Sequence, residues 1–475
     1  MRTETCDVLI VGGGPVGVTL ANLLARDGVS VIVVERDIEV YPLPRAAHFD
    51  HEIMRLWQEL GLADAAQKAA RPAGAYEFRN AAGQVLLRYD MPANAPGGWA
   101  ASWMFNQPDL ERALRERLAR EPTARLLIGT SFEGFESETV ALYCQADEPF
   151  RVEARCIVGC DGASSPVRKA LGIELEDFGF DEPWLVIDAI ERDASGLPDI
   201  NLQICDPARP TTCVLMGPGR RRWEFMIRPG EDPADFLTDS RIAELLKPWV
   251  PEGAVEIDRR AVYRFHGLLA YQWRKGRVLL AGDSAHQMPP FLGQGMCSGL
   301  HDAANLAWKL KLVLDGQASE ALLDTYQTER EPHVRAMIQT AIAMGQVVCA
   351  TDPVMVAARD AGMLAQRAAG KNPVPQPTPA QGPGLFRPDD AMARRMFPQF
   401  GRFDDTAGPG PWLIRRGDHP NLDALLCGHE AVLVRPDRYV FGAGEAAGLT
   451  AAYEAALTST PFACSLAFSS RTGGA

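Results

Sequence analysis

The first apolar run, Cys6-Asp7-Val8-Leu9-Ile10-Val11, stops abruptly on glycines, which predicts a short buried strand. Pro15 then opens a stretch with Leu20, Leu23 and Leu24 at helical spacing, and Gly28 is its expected stop. Residues 29–34 are β-branched and end on Glu35, which predicts a second strand and completes a βαβ unit. Residues 8–25 carry no charge and could pass for a signal peptide or membrane span. Gly12, Gly13, Gly14 and Gly17 in their middle favour strand, turn and helix instead. No other segment is expected to span a bilayer.

Further along, residues 51–62 follow a helical period, and residues 75–91 alternate like strands around an Asn80-Ala81-Ala82-Gly83 turn. Residues 107–121 predict an amphipathic helix opened by Pro108 and Asp109. Strand-like pieces lead to residues 155–162. Residues 181–266 read mainly as strands, with one helix near 242–249, so a sheet-rich insert interrupts the α/β pattern. A buried strand at 278–281 precedes a long helix over 296–314, and helical sequence continues to about residue 369. The Pro/Gly/Gln-rich stretch 372–384 reads as a linker. Residues 431–440 predict strand, turn and strand, and the small polar tail from about 465 is expected to fray.

Composition narrows the possibilities. A chain of 475 residues suggests two or three domains, and 47% hydrophobic with 23% charged residues is an ordinary globular balance. A net charge of −13 without any basic block argues against a nucleic-acid partner. Ten cysteines without a CxxC pair fit a reducing, cytoplasmic setting, and no metal site is expected.

Three motifs carry the chemistry. In Gly12-x-Gly14-x-x-Gly17 the first glycine makes a tight turn, and the second lets backbone approach a pyrophosphate. The third lets helix and strand pack closely. Pro15 and Val16 lie in the helix N-terminus that faces the phosphate charge. Glu35, roughly 20 residues on, can accept from adenosine ribose hydroxyls. This fingerprint alone does not separate FAD from NAD. Gly282-Asp283-Ser284-Ala285-His286 follows a buried strand and precedes Pro289-Pro290-Phe291-Leu292-Gly293-Gln294-Gly295-Met296. An Asp there can bind a flavin's ribityl chain. The helix opening at Gly295 and Met296 offers free N–H groups to the flavin edge that becomes negative on reduction. Cys160-Asp161-Gly162, taken alone, is equally an ordinary turn before a helix.

Together and in this order, these motifs resemble the class A flavoprotein monooxygenases of the p-hydroxybenzoate hydroxylase fold. The 3-(3-hydroxyphenyl)propionate hydroxylase-like branch is the nearest in character. Pro44-Arg45-Ala46-Ala47-His48-Phe49-Asp50 and Gly293 to Gly299 both look like that branch, as does Asp302 to Leu310. The resemblance implies an α/β fold with three parts. A Rossmann-like FAD-binding domain would take residues 1–74, 100–180 and 267–371. A mixed-sheet substrate domain would take 75–99 and 181–266. After the 372–384 linker, residues 385–475 are weakly similar to a thioredoxin-like domain.

The resemblance also implies roles. Glu35 and Arg36 would hold the adenosine end, Arg45 the pyrophosphate, and Gln107 the ribityl or flavin region. Asp161 would sit in the turn shared with the passing nicotinamide, Asp283 on the ribityl chain, and Pro290, Gly293, Gly295 and Met296 along the flavin ring. The implied reaction consumes NADH or NADPH and O2 and hydroxylates a small aromatic substrate through a flavin C4a-hydroperoxide. His48, Tyr263 and His286, with Pro290 beside the ring, are the candidates for handling the phenol, and His266 is a further one. Each His has an equally good reading as a hydrogen-bonded structural residue. A dehydrogenase or oxidase of the same fold, or a non-catalytic flavin-binding protein, is the alternative. A monomer or homodimer is expected.

Overall fold

Five parallel strands set the apolar runs side by side. In the computed structural model, which describes residues 2–371, 379–418 and 420–458, strand Arg2–Val11 lies between Glu148–Gly159 and Val31–Val34. Val278–Leu280 and Ala124–Leu127 extend the sheet on either side. Val8–Val11 and Val31–Val34 are buried residue after residue, as a sheet covered on both faces requires. Helix Pro15–Arg26 buries Gly17 to Ala25, and helix Gly295–Leu314 packs against it within the same core. The second predicted strand begins at Val31 rather than residue 29, because Gly28 turns the chain with φ +81°.

The insert forms an eight-stranded sheet. Its order is His286–Gln287, Val255–Ala270, Leu175–Glu191, Arg220–Met226, Thr211–Leu215, Asn201–Cys205, Ala75–Asn80 and Val85–Asp90. The alternating 75–91 stretch therefore joins strands from more than a hundred residues later. The expected borders at 180/181 and 266/267 fall inside two continuous strands of 17 and 16 residues. One face of this sheet is a conventional core, with Leu185, Ile187, Trp223, Phe225 and Cys213 against Ile242 of helix Asp239–Leu246. The opposite face turns toward the FAD-motif strands.

Beyond helices Thr325–Val348 and Pro353–Ala368 lies the predicted linker. Residues 372–378 are outside the described residues, and so is the tail from 465 that was expected to fray. The rest of the linker is no spacer. Gln381 is buried, Gly382 N–H donates to the Glu329 carbonyl at 2.7 Å, and a Cβ on Gly382 would lie 2.1 Å from the Thr328 carbonyl oxygen. Gln and Gly are used here for close packing, which composition does not distinguish from flexibility. C-terminal strands Trp412–Arg415, Ala431–Val434 and Val440–Gly444 form an antiparallel sheet followed by helix Ala446–Thr458.

A buried ionic cluster ties these parts together. Glu329 Oε2 accepts from Asn305 Nδ2, Lys309 Nζ and Arg435 Nη2, each at 2.8 Å, while Oε1 accepts from Leu385 N–H at 2.8 Å. Burial raises the carboxyl's pKa, but the two cations and their hydrogen bonds more than offset it and bring it down to about 2. Among the described residues no single helix is long and apolar enough to cross a membrane. Glu320–Val348 and Pro353–Ala368 pass that test only as a pair bent by 108°.

Because the folded pKa of Glu329 lies below its ordinary 4.5, its contribution is present above that value and is lost as pH falls toward 2. Glu329→Gln is expected to lower unfolding free energy by about 3 kcal/mol near neutrality. In urea titrations the gap from wild type should shrink as pH drops from 4.5 toward 2. A gap independent of pH would contradict this account.

Candidate active site

The three motifs meet because they follow three neighbouring parallel strands. Gly12 follows Arg2–Val11, Cys160-Asp161 follows Glu148–Gly159, and Gly282-Asp283 follows Val278–Leu280, all at the carboxyl edge where α/β sheets bind ligands. The approach is very close. A Cβ on Gly12, at φ +107°, would lie 2.3 Å from the Cys160 carbonyl oxygen, and one on Gly17 would lie 2.0 Å from the Gly12 carbonyl oxygen. At Gly14 a Cβ would meet nothing within 4 Å, so that glycine borders open space at an N-terminus with no side-chain cap. This suits a pyrophosphate: free N–H groups, no side chain in the way, and the positive end of a helix.

Glu35 sits where the fingerprint requires. Its Oε2 accepts from Gly13 N–H at 2.7 Å and Oε1 from Asp37 N–H at 2.9 Å, leaving lone pairs for ribose hydroxyls. Arg36 is largely exposed and only 3.8 Å from Asp37. Sequence reasoning missed Arg115, whose Nη2 donates to the Gly13 carbonyl at 3.0 Å and places a cation beside the glycine turn. Its position on the inward side of the amphipathic helix Gln107–Leu118 was the available signal.

Asp283 is accessible yet crowded on all sides, as a residue lining a deep cleft is; that crowding raises its carboxyl pKa. No described residue donates to it, so it is free to bind the ribityl hydroxyls. Asp161 is already occupied: Oδ1 accepts from Ser165 Oγ at 2.5 Å and Oδ2 from Val167 N–H at 2.9 Å, so it braces the turn into helix Pro166–Ala170. Helix Gly295–Leu314 has no side-chain cap, and its first intrahelical bond is made by Ser298 N–H. The N–H groups of Gly295 and Met296 are thus available to a flavin edge, beside exposed Pro290 and the left-handed Gly293 at φ +66°.

The loop bearing Arg45 is held from both sides. Gln107 Oε1 accepts from the N–H groups of Arg45 and Ala46 at 3.1 and 2.9 Å. Arg222 donates to the carbonyls of Pro44 and Arg45, and Arg259 to that of Pro44. Gln107 therefore positions the loop through its amide oxygen. Its amide oxygen is consumed by backbone. The Arg45 side chain is left exposed beside Tyr41.

Of the aromatic-site candidates, only His48 joins the flavin segment directly. Its Nδ1 lies 3.1 Å from the Gly293 carbonyl, while Asp50 caps the next helix and accepts from Gln294 Nε2 at 3.1 Å. A carbonyl can only accept, so Nδ1 carries the proton and Nε2 keeps its lone pair. Burial lowers the His48 pKa, against Asp50 and the carbonyl, and favours this neutral form. His286 is a correction. It is 1% exposed, with Nε2 2.7 Å from Asp302 Oδ2 and its ring against Trp273. Asp302 also accepts from Gly282 N–H and Arg330, so His286 supports the Asp283 turn from behind. His286 begins strand His286–Gln287 after the tight turn that holds Asp283, and its ring packs into the core against Trp273. Tyr263 is half-buried under Arg259, on the cleft face of the insert, and His266 faces Asp181 at 3.6 Å.

A separate cavity lies away from this site. A cavity of about 580 Å³ lies between helix Pro15–Arg26, helix Gly295–Leu314 and the C-terminal part, beside Leu23, Arg55, His301, Trp308 and Arg438. It contains none of the motif residues, whereas the cleft holds an uncapped helix end, an unbonded acid and glycine turns.

Comparison with known proteins agrees with this chemistry. The fold and site define a class A flavoprotein monooxygenase. Residues 5–341 match the family described as FAD binding domain, and the chain belongs to that family. It is 38% identical, with 96% of each chain covered, to a protein of Rhodococcus jostii (strain RHA1) described as a probable NADH-specific resorcinol 4-hydroxylase. It is also 38% identical to the 3-(3-hydroxy-phenyl)propionate/3-hydroxycinnamic acid hydroxylase of Mycolicibacterium smegmatis (strain ATCC 700084 / mc(2)155), over 74% of this chain and 63% of that one. Among solved structures, p-nitrophenol 4-monooxygenase PnpA from Pseudomonas putida DLL-E4 matches with a TM-score of 0.70 at 25% identity, covering 77% of this chain and 94% of that one. The protein is an FAD-dependent aromatic hydroxylase with a nicotinamide co-substrate.

Two substitutions separate binding from support. Asp283→Ala should weaken FAD retention at least about 10-fold, as loss of hydrogen bonds to a charged group does, with little change in apoprotein melting temperature. His286→Ala should instead lower the melting temperature by leaving Asp302 partly unpaired in the core. Equal FAD affinity in Asp283→Ala and wild type would remove Asp283 from the site.

Proposed function

We propose that the protein hydroxylates a small, uncharged phenol of the resorcinol type, with NADH as reductant and His48 as the group that takes up the phenolic proton. The carrying observation is the His48–Gly293 contact, which ties the base to the flavin-facing segment and fixes its tautomer. The similarity to the Rhodococcus protein over nearly the whole of both chains supports the substrate class and the choice of NADH.

FAD held in this cleft would supply the redox chemistry that links oxidation of the nicotinamide to use of O2. Gly12, Gly14 and Glu35 would hold its adenosine and pyrophosphate, Asp283 its ribityl chain, and the Gly295 and Met296 N–H groups its flavin edge. His48 accepts the substrate's phenolic proton at Nε2, which raises electron density on the ring carbon to be oxygenated. The insert's sheet closes over the cleft and keeps water from the reacting atoms. Tyr263 lies on that sheet face and can contact the ring. A cytoplasmic location, where NADH is at hand, and a monomeric or homodimeric state go with this reading.

Resorcinol should stimulate NADH oxidation strongly and yield a product 16 mass units heavier, an increment of one oxygen atom as this flavin chemistry requires. His48→Asn retains a donor for the Gly293 carbonyl but has no Nε2. It should keep its FAD and be reduced normally, yet hydroxylate about 10²–10⁴-fold more slowly and release more hydrogen peroxide per NADH. Full hydroxylation by flavin-loaded His48→Asn would remove His48 from the chemistry.

A further inference from the structure

The insert's cleft face contains a buried acid that none of the roles above uses. Register places Glu224 opposite Val186 on one neighbouring strand and Thr212 on the other, so all three share a face. The same row continues to Ala261 beyond Val186 and to Gln203 beyond Thr212. This face points at the FAD-motif strands, and two contacts flanking Glu224 establish it. Two residues before, Arg222 donates to the Pro44 and Arg45 carbonyls of the His48 loop. Two residues after, Met226 joins Trp184 and Phe291, the last from the segment that leads to Gly293. Glu224 thus stands midway across the cleft. Its row-mates Ala261, Val186 and Thr212 carry short side chains.

The carboxylate has no hydrogen-bond donor among the described residues. Its nearest cation, Arg222 Nη1, is 3.7 Å away and already bonded to the Arg45 carbonyl, while Nε and Nη2 serve Asp188. Glu224 is 8% exposed, and burial raises its pKa against the pull of Arg222. A buried acid with no donor is costly unless a ligand supplies one. The next polar groups in the row are satisfied: Gln203 Oε1 accepts from Thr212 Oγ at 2.8 Å and from Tyr76 OH at 3.2 Å. Arg259, the other cation of this face, bonds the Pro44 carbonyl and Asp188, and its remaining donors are shut off from solvent. Arg228 pairs with Glu231 at the surface. The cleft face therefore offers a substrate a free acceptor at Glu224, while the unbonded donors of Arg259 are closed off from solvent.

We propose that Glu224 accepts a hydrogen bond from a second hydroxyl of the phenol, on the side of the ring away from His48, and that it selects dihydroxylated rings over phenols bearing a carboxylate. This rests on the phenol-hydroxylase reading above. A site built to take a hydroxyl discriminates strongly against a ligand lacking one, because the buried group is left unpaired. An anionic side chain placed there would be repelled by the same acid.

The test is binding to the FAD-loaded protein, read by calorimetry and by perturbation of the flavin spectrum, with resorcinol, phenol and 3-(3-hydroxyphenyl)propionate as probes. Wild type should bind resorcinol more tightly than phenol. Glu224→Leu should weaken resorcinol binding about 10-fold or more, the cost of losing a hydrogen bond to a charged group, while leaving phenol nearly unchanged. Glu224→Gln should bind the phenylpropionate several-fold more tightly than wild type, a gain that damaged folding does not produce. Equal losses for resorcinol and phenol in Glu224→Leu, or no gain for the phenylpropionate in Glu224→Gln, would overturn the role of Glu224 while leaving phenol hydroxylation intact. Failure of wild type to bind any of the three probes would overturn both.

Discussion

Where the first two motif strands end, the backbones approach too closely for a side chain at Gly12 or Gly17. The Gly12 turn rests on the Cys160 carbonyl and Gly17 rests on the Gly12 turn, each closer than any Cβ allows. This approach draws the ends of three parallel strands into one cleft. It also aims two uncapped helix N-termini, those of Pro15–Arg26 and Gly295–Leu314, at the same space. A cofactor with a pyrophosphate at one end and an electron-accepting ring at the other finds complementary partial charge at both ends.

Polar contacts hold these ends in register from behind. Asp302 accepts from Gly282 N–H, His286 and Arg330, which fixes the Asp283 turn without using Asp283 itself. Arg168 donates to the Ser284 and Ala163 carbonyls and so joins the Asp161 turn to the Asp283 turn. Asp283 has no bond among the described residues, while Asp302 and Arg168 behind its turn are each bonded more than once. This division keeps the cleft preorganised at the expense of buried charge elsewhere.

The insert closes the cleft by a similar economy of contacts. Arg222, Arg259 and Asp188 fasten its sheet to the His48 loop, and Trp184 packs on Phe291 at the flavin segment. Between these fastenings lie Glu224 and small neighbours. The loop carrying His48 is thus shared by both parts, clamped to Gln107 and Gly293 on one side and to the insert's arginines on the other. Substrate chemistry and cofactor geometry are coupled through that one loop.

The βαβ unit, its glycines, Glu35 and Asp283 were legible in the chain, because local backbone rules and spacing decide them. The sheet-rich insert was legible too, as a run of alternating segments. What alternation does not reveal is which face looks inward and which strands pair. Ala75–Asn80 beside Asn201–Cys205 is a contact between distant segments, and only the assembled sheet makes it. The same limit applies to side chains. His286 looked like an active-site residue by its neighbours in sequence, Gln107 by its place at a helix start, and residues 379–384 like a spacer by composition. Each is committed to a partner far along the chain: Asp302, the Arg45–Ala46 backbone, and helix Thr325–Val348. A residue's type limits the bonds it can make, but the long-range packing of the sheets determines which of those bonds are already taken.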